Sequence, residues 1–467
     1  TSIPGTARSI CCRTEQEGTA IMKFSAGSVV ITAPIGVPLA GNGRADAASR
    51  GIHDDLRANI LYMESQGQKL LFISLDLLGL LQTHCDAIKD RICAGCDVPR
   101  DGINIFATHT HSGPNTLRIF DYFLTQEQLD ECDKYLDWLV PTVADAALDV
   151  IAKARPGKMA YGHDVLEGFS FCRRIVLKDG SFHMVFEDYD HAQIDHLAGP
   201  NGNPIMSVFA FADPDDTVRA VMVHYTSHPA VVCGEDWLYT RDYIDALNVE
   251  LQKRFGKDTV VLYANGAQGN QVAADPYHPF ITGWEESERV GKALAEGAKR
   301  IISRLLMEKK FTEDVTIRAE RRTVTLPVRT VAQADIDHAH ALMEHIPDKV
   351  VLHGLDPRVE ASSILKMAEY PLKEEEVVIQ GVRIGEQVIV TFPGEVFLEY
   401  GLRVMRASAR DVIVFGLANA YVGYIPIPEA FSQGGYEVKT SVGSSRFAPN
   451  AGDLLAEGCC RLVQELS

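Results

Sequence analysis

Short apolar runs of strand length alternate along this chain with longer amphipathic segments, and this alternation constrains the fold more than any other feature. The apolar runs lie at 70–75, 103–107, 205–211, 218–223, 259–263, 388–392 and 411–417. Apolar residues recur at helical spacing over 125–154, 284–307, 330–346, 357–368 and 394–407. Because uninterrupted apolar strands are typical of sheets covered on both faces, the pattern predicts one large mixed α/β domain with layered sheets flanked by helices.

The two ends of the chain differ from this regular pattern. Residues 1–21 carry Glu15 and Glu17 and have no continuous apolar run, so we expect an extension outside the fold rather than a signal peptide. The domain itself is expected over residues 22–467. Residues 418–450 are rich in Gly, Pro and Tyr, and a long irregular segment inside a compact domain is usually functional or mobile.

The composition limits the partners that the protein can bind. Asp and Glu number 63 against 45 Lys and Arg, a net charge of −18, which argues against binding to nucleic acid. No apolar run approaches the roughly 20 residues that a membrane-spanning helix needs. The ten cysteines form no disulfide framework, so reduced thiols and a cytoplasmic location are expected. The sequence leaves the oligomeric state open, a homo-oligomer included.

The most specific chemical motif is the segment 107–114, which reads ATHTHSGP and directly follows the apolar run 103–107. In an extended segment, side chains two residues apart point to one face, so His109 and His111 are expected to converge at the carboxyl end of a strand. Open α/β sheets place their ligands at such ends. Since imidazole is the commonest neutral metal ligand near pH 7, the pair predicts a metal site.

Three further segments are candidates for the same site. His224 and His228 follow the run 218–223, and either could be a ligand or a satisfied buried histidine. Glu395 follows a strand through Pro-Gly; it could be a metal ligand or a general base, but taken alone a first-turn helix charge is favoured. The Tyr- and Gly-rich segment 421–424, with Tyr436 beyond it, has no specific chemistry in isolation.

Other suggestive patterns are interpreted as structural. Cys93 and Cys96 have redox spacing without a second pair, and a helix end with two buried thiols is favoured. His338 and His340 lie in a helical stretch, where positions two apart point about 200° from each other, so they are expected in solvent. The acidic stretch 188–196 is interpreted as a polar loop.

Taken in order, these segments resemble the neutral/alkaline non-lysosomal ceramidase family, from about Gly27 to about Tyr436. The segment 108–114 looks like the most specific motif of that family. The stretches 51–54 (GIHD) and 74–76 (SLD) look like its Gly-Ile-x-Asp and strand-Asp segments, and 227–229, 393–395 and 421–424 resemble its later metal-ligand segments. The resemblance implies a ceramidase-like catalytic domain.

The resemblance also implies roles for individual residues. It makes zinc the cofactor, held by His109, His228, Glu395 and Tyr424. His111 would contact the reacting carbonyl, and Tyr436 and Arg173 would contact the oxyanion, with Arg174 as the fallback for Arg173. Such a set of nitrogen and oxygen donors suits zinc.

Two departures from the family change the expected chemistry. Asn270 stands where the family has a serine that takes part in catalysis, and Gln268 stands where it has an aspartate. The chain also ends soon after Tyr436, so we expect no C-terminal immunoglobulin-like domain. We therefore expect a hydrolase of the amidase or esterase type, in which metal-activated water attacks an amide, ester or lactone carbonyl of a small-molecule or lipid-like substrate other than ceramide. The alternatives are a phosphoesterase or lyase on the same site, and a catalytically silent metal- or ligand-binding protein.

Overall fold

The computed structural model describes residues 21–41, 47–118, 124–232, 237–345 and 357–467. The strands are β1 (Lys23–Val30), β2 (Gly51–Ile52), β3 (Arg57–Ser65), β4 (Gln68–Leu75), β5 (Ile103–Ala107), β6 (Arg155–Pro156), β7 (Lys158–Val165), β8 (Phe171–Cys172), β9 (Arg174–Leu177), β10 (Phe182–Met184), β11 (Ile194–Leu197), β12 (Ile205–Ala212), β13 (Val218–Tyr225), β14 (Leu238–Tyr239), β15 (Val260–Asn265), β16 (Gln271–Val272), β17 (Ile317–Pro327), β18 (Glu374–Ile384), β19 (Gln387–Thr391), β20 (Glu395–Val396), β21 (Asp411–Phe415) and β22 (Tyr424–Ile425). The helices are α1 (Gln82–Gly95), α2 (Gln126–Ile151), α3 (Tyr243–Phe255), α4 (Trp284–Met307), α5 (Gln333–His345), α6 (Pro357–Ala368), α7 (Leu398–Met405), α8 (Ala430–Gln433) and α9 (Ala451–Leu466).

Three larger sheets organise the domain. The first has the strand order β5-β4-β3-β1-β6, the second β15-β13-β12-β7 and the third β17-β18-β19-β21. Each is mostly antiparallel but contains one parallel pair at an edge, namely β4 with β5, β13 with β15, and β19 with β21. A three-stranded sheet, β10-β9-β11, and the short pairs β2–β14, β8–β16 and β20–β22 lie around them.

The inner faces of the three sheets share one hydrophobic core. Phe72 comes from the first sheet, Phe209 from the second and Ile389 from the third, and all three belong to a single buried cluster. On the same strands, the residues one position away belong to the outer clusters, as Ile73 and Val390 show. Because successive strand side chains point to opposite faces, burial of both faces explains why the strands are continuously apolar.

Helices cover the outer face of each sheet. Helices α1 and α2 pack on the first sheet, α3 and α4 on the second, and α7 and α9 on the third. Helix α2 begins with a capping box, since the Thr125 hydroxyl accepts from Gln128 N at 3.2 Å while Gln128 Oε1 accepts from Thr125 N at 2.9 Å. The layered sheets flanked by helices that the sequence predicts are thus confirmed.

The boundaries of several elements differ from the prediction. The helical stretch expected over 125–154 is a single helix, α2 (Gln126–Ile151), which continues through Pro141. The predicted helix over 394–407 is wrong at its start, because Glu395 and Val396 form β20, which pairs with the distant β22, and α7 begins only at Leu398. The predicted extension lies almost wholly outside the described residues, which begin at 21. Among the helices that the structure describes, none combines the length and the apolar character needed to span a membrane.

Candidate metal centre

The carboxyl ends of the three parallel pairs meet at one junction. Backbone contacts join the sheets there: Asn419 N donates to Ile105 O at 2.6 Å, and Gly416 N donates to Asn265 O at 2.9 Å. The Ser74 hydroxyl also donates to a carbonyl of the second sheet, at 2.8 Å. Segments that leave different sheets therefore enter the same small volume, and the candidate ligands lie on these segments.

His109 follows β5 by two residues and is almost fully buried. Its backbone adopts φ 75°, a left-handed conformation that is uncommon for a residue other than glycine and that costs energy. The extended geometry expected for this segment is therefore wrong, although the imidazoles of His109 and His111 still approach each other, with ring centroids 5.1 Å apart. Positive φ values outside glycine cluster at functional sites.

His228 arrives from the second sheet, three residues after β13. Its Nδ1 lies 2.9 Å from Gln271 O, and Nδ1 of His109 lies 2.5 Å from Leu78 O. A carbonyl only accepts hydrogen bonds, so both imidazoles carry their proton on Nδ1 when neutral. Both Nε2 atoms are then lone pairs turned towards the junction, which is the orientation of a metal-binding histidine.

Glu395 brings a carboxylate from the third sheet to the same point. Its Oε2 lies 3.2 Å from Nε2 of His109 and 3.0 Å from Nε2 of His228. Burial by itself raises the pKa of Glu395, and lowering that pKa well below its usual range requires positive charge or a proton donor at the imidazole side of the carboxylate. The interpretation of Glu395 as a first-turn helix charge is wrong, because the residue is buried in β20.

This arrangement fits a bound cation. Burial, followed by the nearby Arg173 charge, lowers the pKa of His228 to about 4, so this imidazole is neutral at pH 7. Its Nε2 lone pair and the Glu395 carboxylate oxygen then face each other without a proton between them, and a metal ion would remove that repulsion. Neutral imidazole and carboxylate are ligands that zinc and related metals accept.

His111 completes a group of three histidines. The ligand atoms of His109, His111 and His228 all lie within 4.8 Å of one another, so they could hold a metal ion. Burial, with His109 and His228 adding to it, lowers the pKa of His111 well below its usual value, and its Nε2 has no hydrogen-bond partner among the described residues. Whether His111 is a ligand or a carbonyl contact stays a prediction.

Two tyrosines line the other side of the centre. The register of β20 and β22 places Tyr424 opposite Glu395, and the rings of Tyr424 and Tyr436 meet edge to face at 5.7 Å. Burial and the Glu395 charge raise the pKa of Tyr424, so its phenol keeps a proton unless a cation replaces it. The proximity that the prediction requires of Tyr424 and Tyr436 is present.

The structure separates the two candidate arginines. Arg173 reaches the centre, with Nη1 3.3 Å from Nε2 of His228 and Nη2 3.3 Å from the hydroxyl of Tyr424. Arg174 points away and donates to Gly434 O at 2.8 Å, fully buried. The first choice for a substrate-contacting arginine therefore lies at the site and the fallback does not.

Two buried side chains at the centre were not assigned from the sequence. The hydroxyl of Tyr421 donates to Oε1 of Glu395 at 2.7 Å and so fixes the carboxylate. Glu437 bonds both Arg173, at 3.1 Å, and Arg174, at 2.8 Å. The sequence could have indicated Tyr421, because it belongs to the candidate segment 421–424. It could not have indicated Glu437, because the two arginines are far from it in sequence.

Asn270 is held away from any catalytic use. Its Nδ2 donates to Oε2 of Glu399 at 3.0 Å, and its Oδ1 accepts from Leu398 N at 2.9 Å. The amide atoms of Gln268 are buried and have no partner among the described residues. Asn270 therefore anchors the start of α7, and it offers no nucleophile.

The remaining candidates lie elsewhere. His224 is buried, lies 2.9 Å from Val414 O through Nε2 and stacks on Phe415. His338 and His340 are exposed on α5, as expected. Cys93 and Cys96 are half-buried free thiols at the end of α1. Within the described parts of the chain, the three histidines form the one group that could hold a metal.

A cavity of about 430 Å³ adjoins the centre. Tyr421 and Tyr436 belong to its wall and also contact groups of the centre, and Leu81 and Leu117 add apolar surface. Cavities of 300–1,000 Å³ are the usual size for small-molecule sites. The cavity therefore offers room for a small substrate beside the metal centre.

The fold and the site together define a mixed α/β protein with a candidate metal centre where three sheets meet. By sequence and structure the chain is a homologue of neutral ceramidase and has its fold. It is 20% identical over 470 residues to the neutral ceramidase of Pseudomonas aeruginosa. The alignment covers 89% of this chain and 68% of that protein. A stretch of 75 residues is 36% identical to the neutral ceramidase of Mycobacterium tuberculosis, covering 15% of this chain and 12% of that protein.

Solved structures agree with this relationship. The crystal structure of the Pseudomonas aeruginosa enzyme superposes with a TM-score of 0.69 at 20% identity, over 96% of this chain and 75% of that one. A ceramidase complexed with C2 gives 0.71 at 18% identity, over 96% and 76%. No family model matches the chain. The resemblance inferred from the motifs is thus confirmed, and the homology supports a hydrolase.

Proposed function

We propose that the protein is a zinc-dependent hydrolase that cleaves an amide, ester or lactone carbonyl with water as the nucleophile. One observation carries the proposal: Nε2 of His109 and Nε2 of His228 both face Oε2 of Glu395, while both Nδ1 atoms are held by backbone carbonyls. His109, His228, Glu395 and Tyr424 would hold the metal. When bound, zinc would polarise a substrate carbonyl and lower the pKa of a water molecule to about 7.

The residues around the metal ligands would act on the substrate. Arg173 carries a charge, its Nε and Nη2 bond Glu437 and the Gly269 carbonyl, and its Nη1 faces the centre 3.3 Å from Nε2 of His228. Together with Tyr436 and with Nε2 of His111, it would donate hydrogen bonds to the oxygen on which negative charge develops. Donors fixed in a buried site stabilise such charge strongly, because they need no reorganisation.

The substrate is proposed to be a small or lipid-like acyl compound. Both of the relatives named above are neutral ceramidases. The adjoining cavity of about 430 Å³ suits a small molecule. Asn270 replaces the family serine and is engaged with Glu399 and Leu398. We therefore propose that no acyl-enzyme forms and that ceramide itself is a poor substrate.

Metal content and a substrate panel test the proposal. Purified protein is expected to hold about one zinc per chain and to hydrolyse a p-nitrophenyl ester or a simple lactone faster than a short-chain N-acyl sphingosine. His109→Ala should abolish the activity, whereas His338→Ala, at an exposed His-x-His pair, should not. Hydrolysis of bis-p-nitrophenyl phosphate alone would favour the phosphoesterase alternative. Zinc far below one per chain, with no turnover, would favour a binding protein, and a covalent acyl adduct in quenched-reaction mass spectra would refute the water mechanism.

A further inference from the structure

Glu437 is a fully buried carboxylate beside the metal centre that no role described above requires. It lies in the single turn Tyr436–Val438, and both of its oxygens are engaged: Oε1 with Nε of Arg173 at 3.1 Å and Oε2 with Nη1 of Arg174 at 2.8 Å. Removing one partner of a buried ion pair is costly, because the remaining charge is left uncompensated. Glu437 therefore bridges two consecutive arginines that have different surroundings.

Arg174 is the fixed end of this bridge. Its Nη2 donates to Gly434 O at 2.8 Å, and its guanidinium lies 4.5 Å from the ring centre of Phe182 and 5.4 Å from that of Phe397. None of these groups belongs to the metal centre. Because these contacts surround its guanidinium, Arg174 is a well-fixed hydrogen-bond partner for Glu437.

Arg173 is the end that reaches the chemistry. Its Nη2 donates to Gly269 O at 2.6 Å, and its Nη1 lies 3.3 Å from Nε2 of His228. The guanidinium also lies 5.1 Å from the ring centre of Tyr436. With Nε held by Glu437 and Nη2 held by the Gly269 carbonyl, the planar group is fixed so that Nη1 faces His228 while Nη2 also lies 3.3 Å from the Tyr424 hydroxyl.

The backbone near Glu437 is adapted to this bridge. Gly435 has φ 95°, and a Cβ atom there would come within 2.7 Å of both Oε2 of Glu437 and Nη1 of Arg174. The same turn carries Tyr436, whose ring contacts Arg173. The turn thus sets the position of a proposed oxyanion contact and of the carboxylate together.

We propose that Glu437 is a positioning residue, which acts through Arg173 by holding the Nη1 edge of its guanidinium against the metal centre. The proposal rests on the proposed function for its consequence in catalysis, but the geometry it asserts does not depend on that function. Glu437 also supplies one negative charge beside two guanidinium groups, which limits the positive charge that a bound metal would meet. It does not touch the substrate volume, so it is not a catalytic residue.

The crystal structure of Glu437→Gln tests the geometry without any assay. The expected result is that the Nη1 edge of Arg173 withdraws from His228 by more than about 1 Å, since the amide nitrogen that replaces one carboxylate oxygen cannot accept a hydrogen bond and the amide oxygen stays with the more enclosed Arg174. If Arg173 keeps its place, the proposal is overturned whatever the protein does. Should Glu437→Gln fail to fold, Glu437→Asp serves in its place, because the shorter carboxylate keeps the charge but cannot reach both partners.

A double-mutant cycle tests the action through Arg173. Binding of acetohydroxamate to the zinc-loaded protein is measured by calorimetry for the wild type, Glu437→Gln, Arg173→Gln and the double variant. Glu437→Gln should weaken binding about 10-fold in the wild-type background, as the loss of a supporting partner does at metal sites, and less than about 2-fold in the Arg173→Gln background. Equal losses in both backgrounds would show a general structural role and refute the proposal.

Controls separate this proposal from the proposed function. Glu399→Gln removes a half-buried carboxyl group that bonds Asn270, and should leave hydroxamate binding unchanged. If wild-type protein binds neither zinc nor hydroxamate, the proposed function fails, and the position of Arg173 in the Glu437→Gln crystal still decides the role of Glu437. The ratio of kcat to KM on any substrate found should follow the same cycle.

Discussion

Glu395→Gln is the substitution that most directly tests the metal centre. The carboxylate faces two imidazole lone pairs at 3.2 and 3.0 Å and is almost fully buried. A carboxamide has nearly the same shape and can still accept from Tyr421, but it lacks the charge that a divalent cation needs. We expect the variant to fold and to bind zinc at least about 100-fold more weakly.

The size of the effect follows from linkage between binding and folding. A ligand present at 1,000 times its Kd stabilises the native state by about 4.1 kcal/mol. Globular proteins unfold with an entropy of about 2.1 cal/mol/K per residue, so for a chain of 467 residues each kcal/mol corresponds to roughly 1 °C. Zinc should therefore raise the Tm of the wild type by about 4 °C, and a 100-fold weaker affinity should reduce this rise to about 1.5 °C.

Scanning calorimetry measures both shifts. Each variant is compared with its own chelator-treated form, so that any effect of the substitution on the metal-free fold cancels. Glu399→Gln, which removes a half-buried carboxyl group that contacts Asn270 rather than the histidines, should keep the full zinc-induced shift. If Glu395→Gln also keeps it, Glu395 is not a ligand and the reasoning from its contacts is wrong.

Three further predictions follow from contacts around the centre. Tyr421→Phe removes the 2.7 Å donor to Oε1 of Glu395, and zinc affinity measured against a competing chelator should fall about 10- to 100-fold; an unchanged affinity would contradict this support. Asn270→Ser loses the bond from Leu398 N and should lower the free energy of unfolding in urea by about 1–3 kcal/mol without forming an acyl-enzyme, which an acyl adduct at position 270 would disprove. Burial, only partly opposed by a nearby arginine, raises the pKa of Asp76 to about 7, so the folded state binds this proton more tightly than the unfolded state. The free energy of unfolding should therefore fall by about 1.4 kcal/mol per pH unit as the pH rises from about 4 to about 7. Asp76→Asn should remove that slope from pH-dependent unfolding curves.

The sequence predicts the larger elements well because their signals are local. The bounds expected for the helix 284–307 coincide with α4, whose apolar residues face the second sheet at helical spacing. The start of α7 could not be predicted, because Glu395 and Val396 join a two-stranded sheet with Tyr424 and Ile425. Pairing between residues about 30 positions apart leaves no periodicity in either segment, whereas Pro-Gly marks a turn, and the apolar residues at helical spacing after it predict a helix.

The residues of the candidate site also differ in whether the sequence predicts them. His109 and His228 are recognisable because each stands just beyond an apolar strand, and strand ends are where sheets place ligands. Glu437 is not recognisable, since its two partners lie 264 and 263 residues away. Only the fold brings these charges together, and no property of the segment around Glu437 distinguishes it from a solvated glutamate.

The three candidate ligands of the centre come from three different sheets, and each is joined to its strand by a short connection. His109, His228 and Glu395 come from the first, second and third sheet, and each lies only two to four residues beyond its strand. The positions of the ligands therefore follow the positions of the sheets, which share one central hydrophobic cluster. Because interiors are close-packed and transmit strain, a cavity made in that cluster far from the centre should displace the ligands relative to one another. Under the proposed function, metal affinity would therefore depend on the packing of the whole domain, whereas loss of a single ligand would act only at the centre.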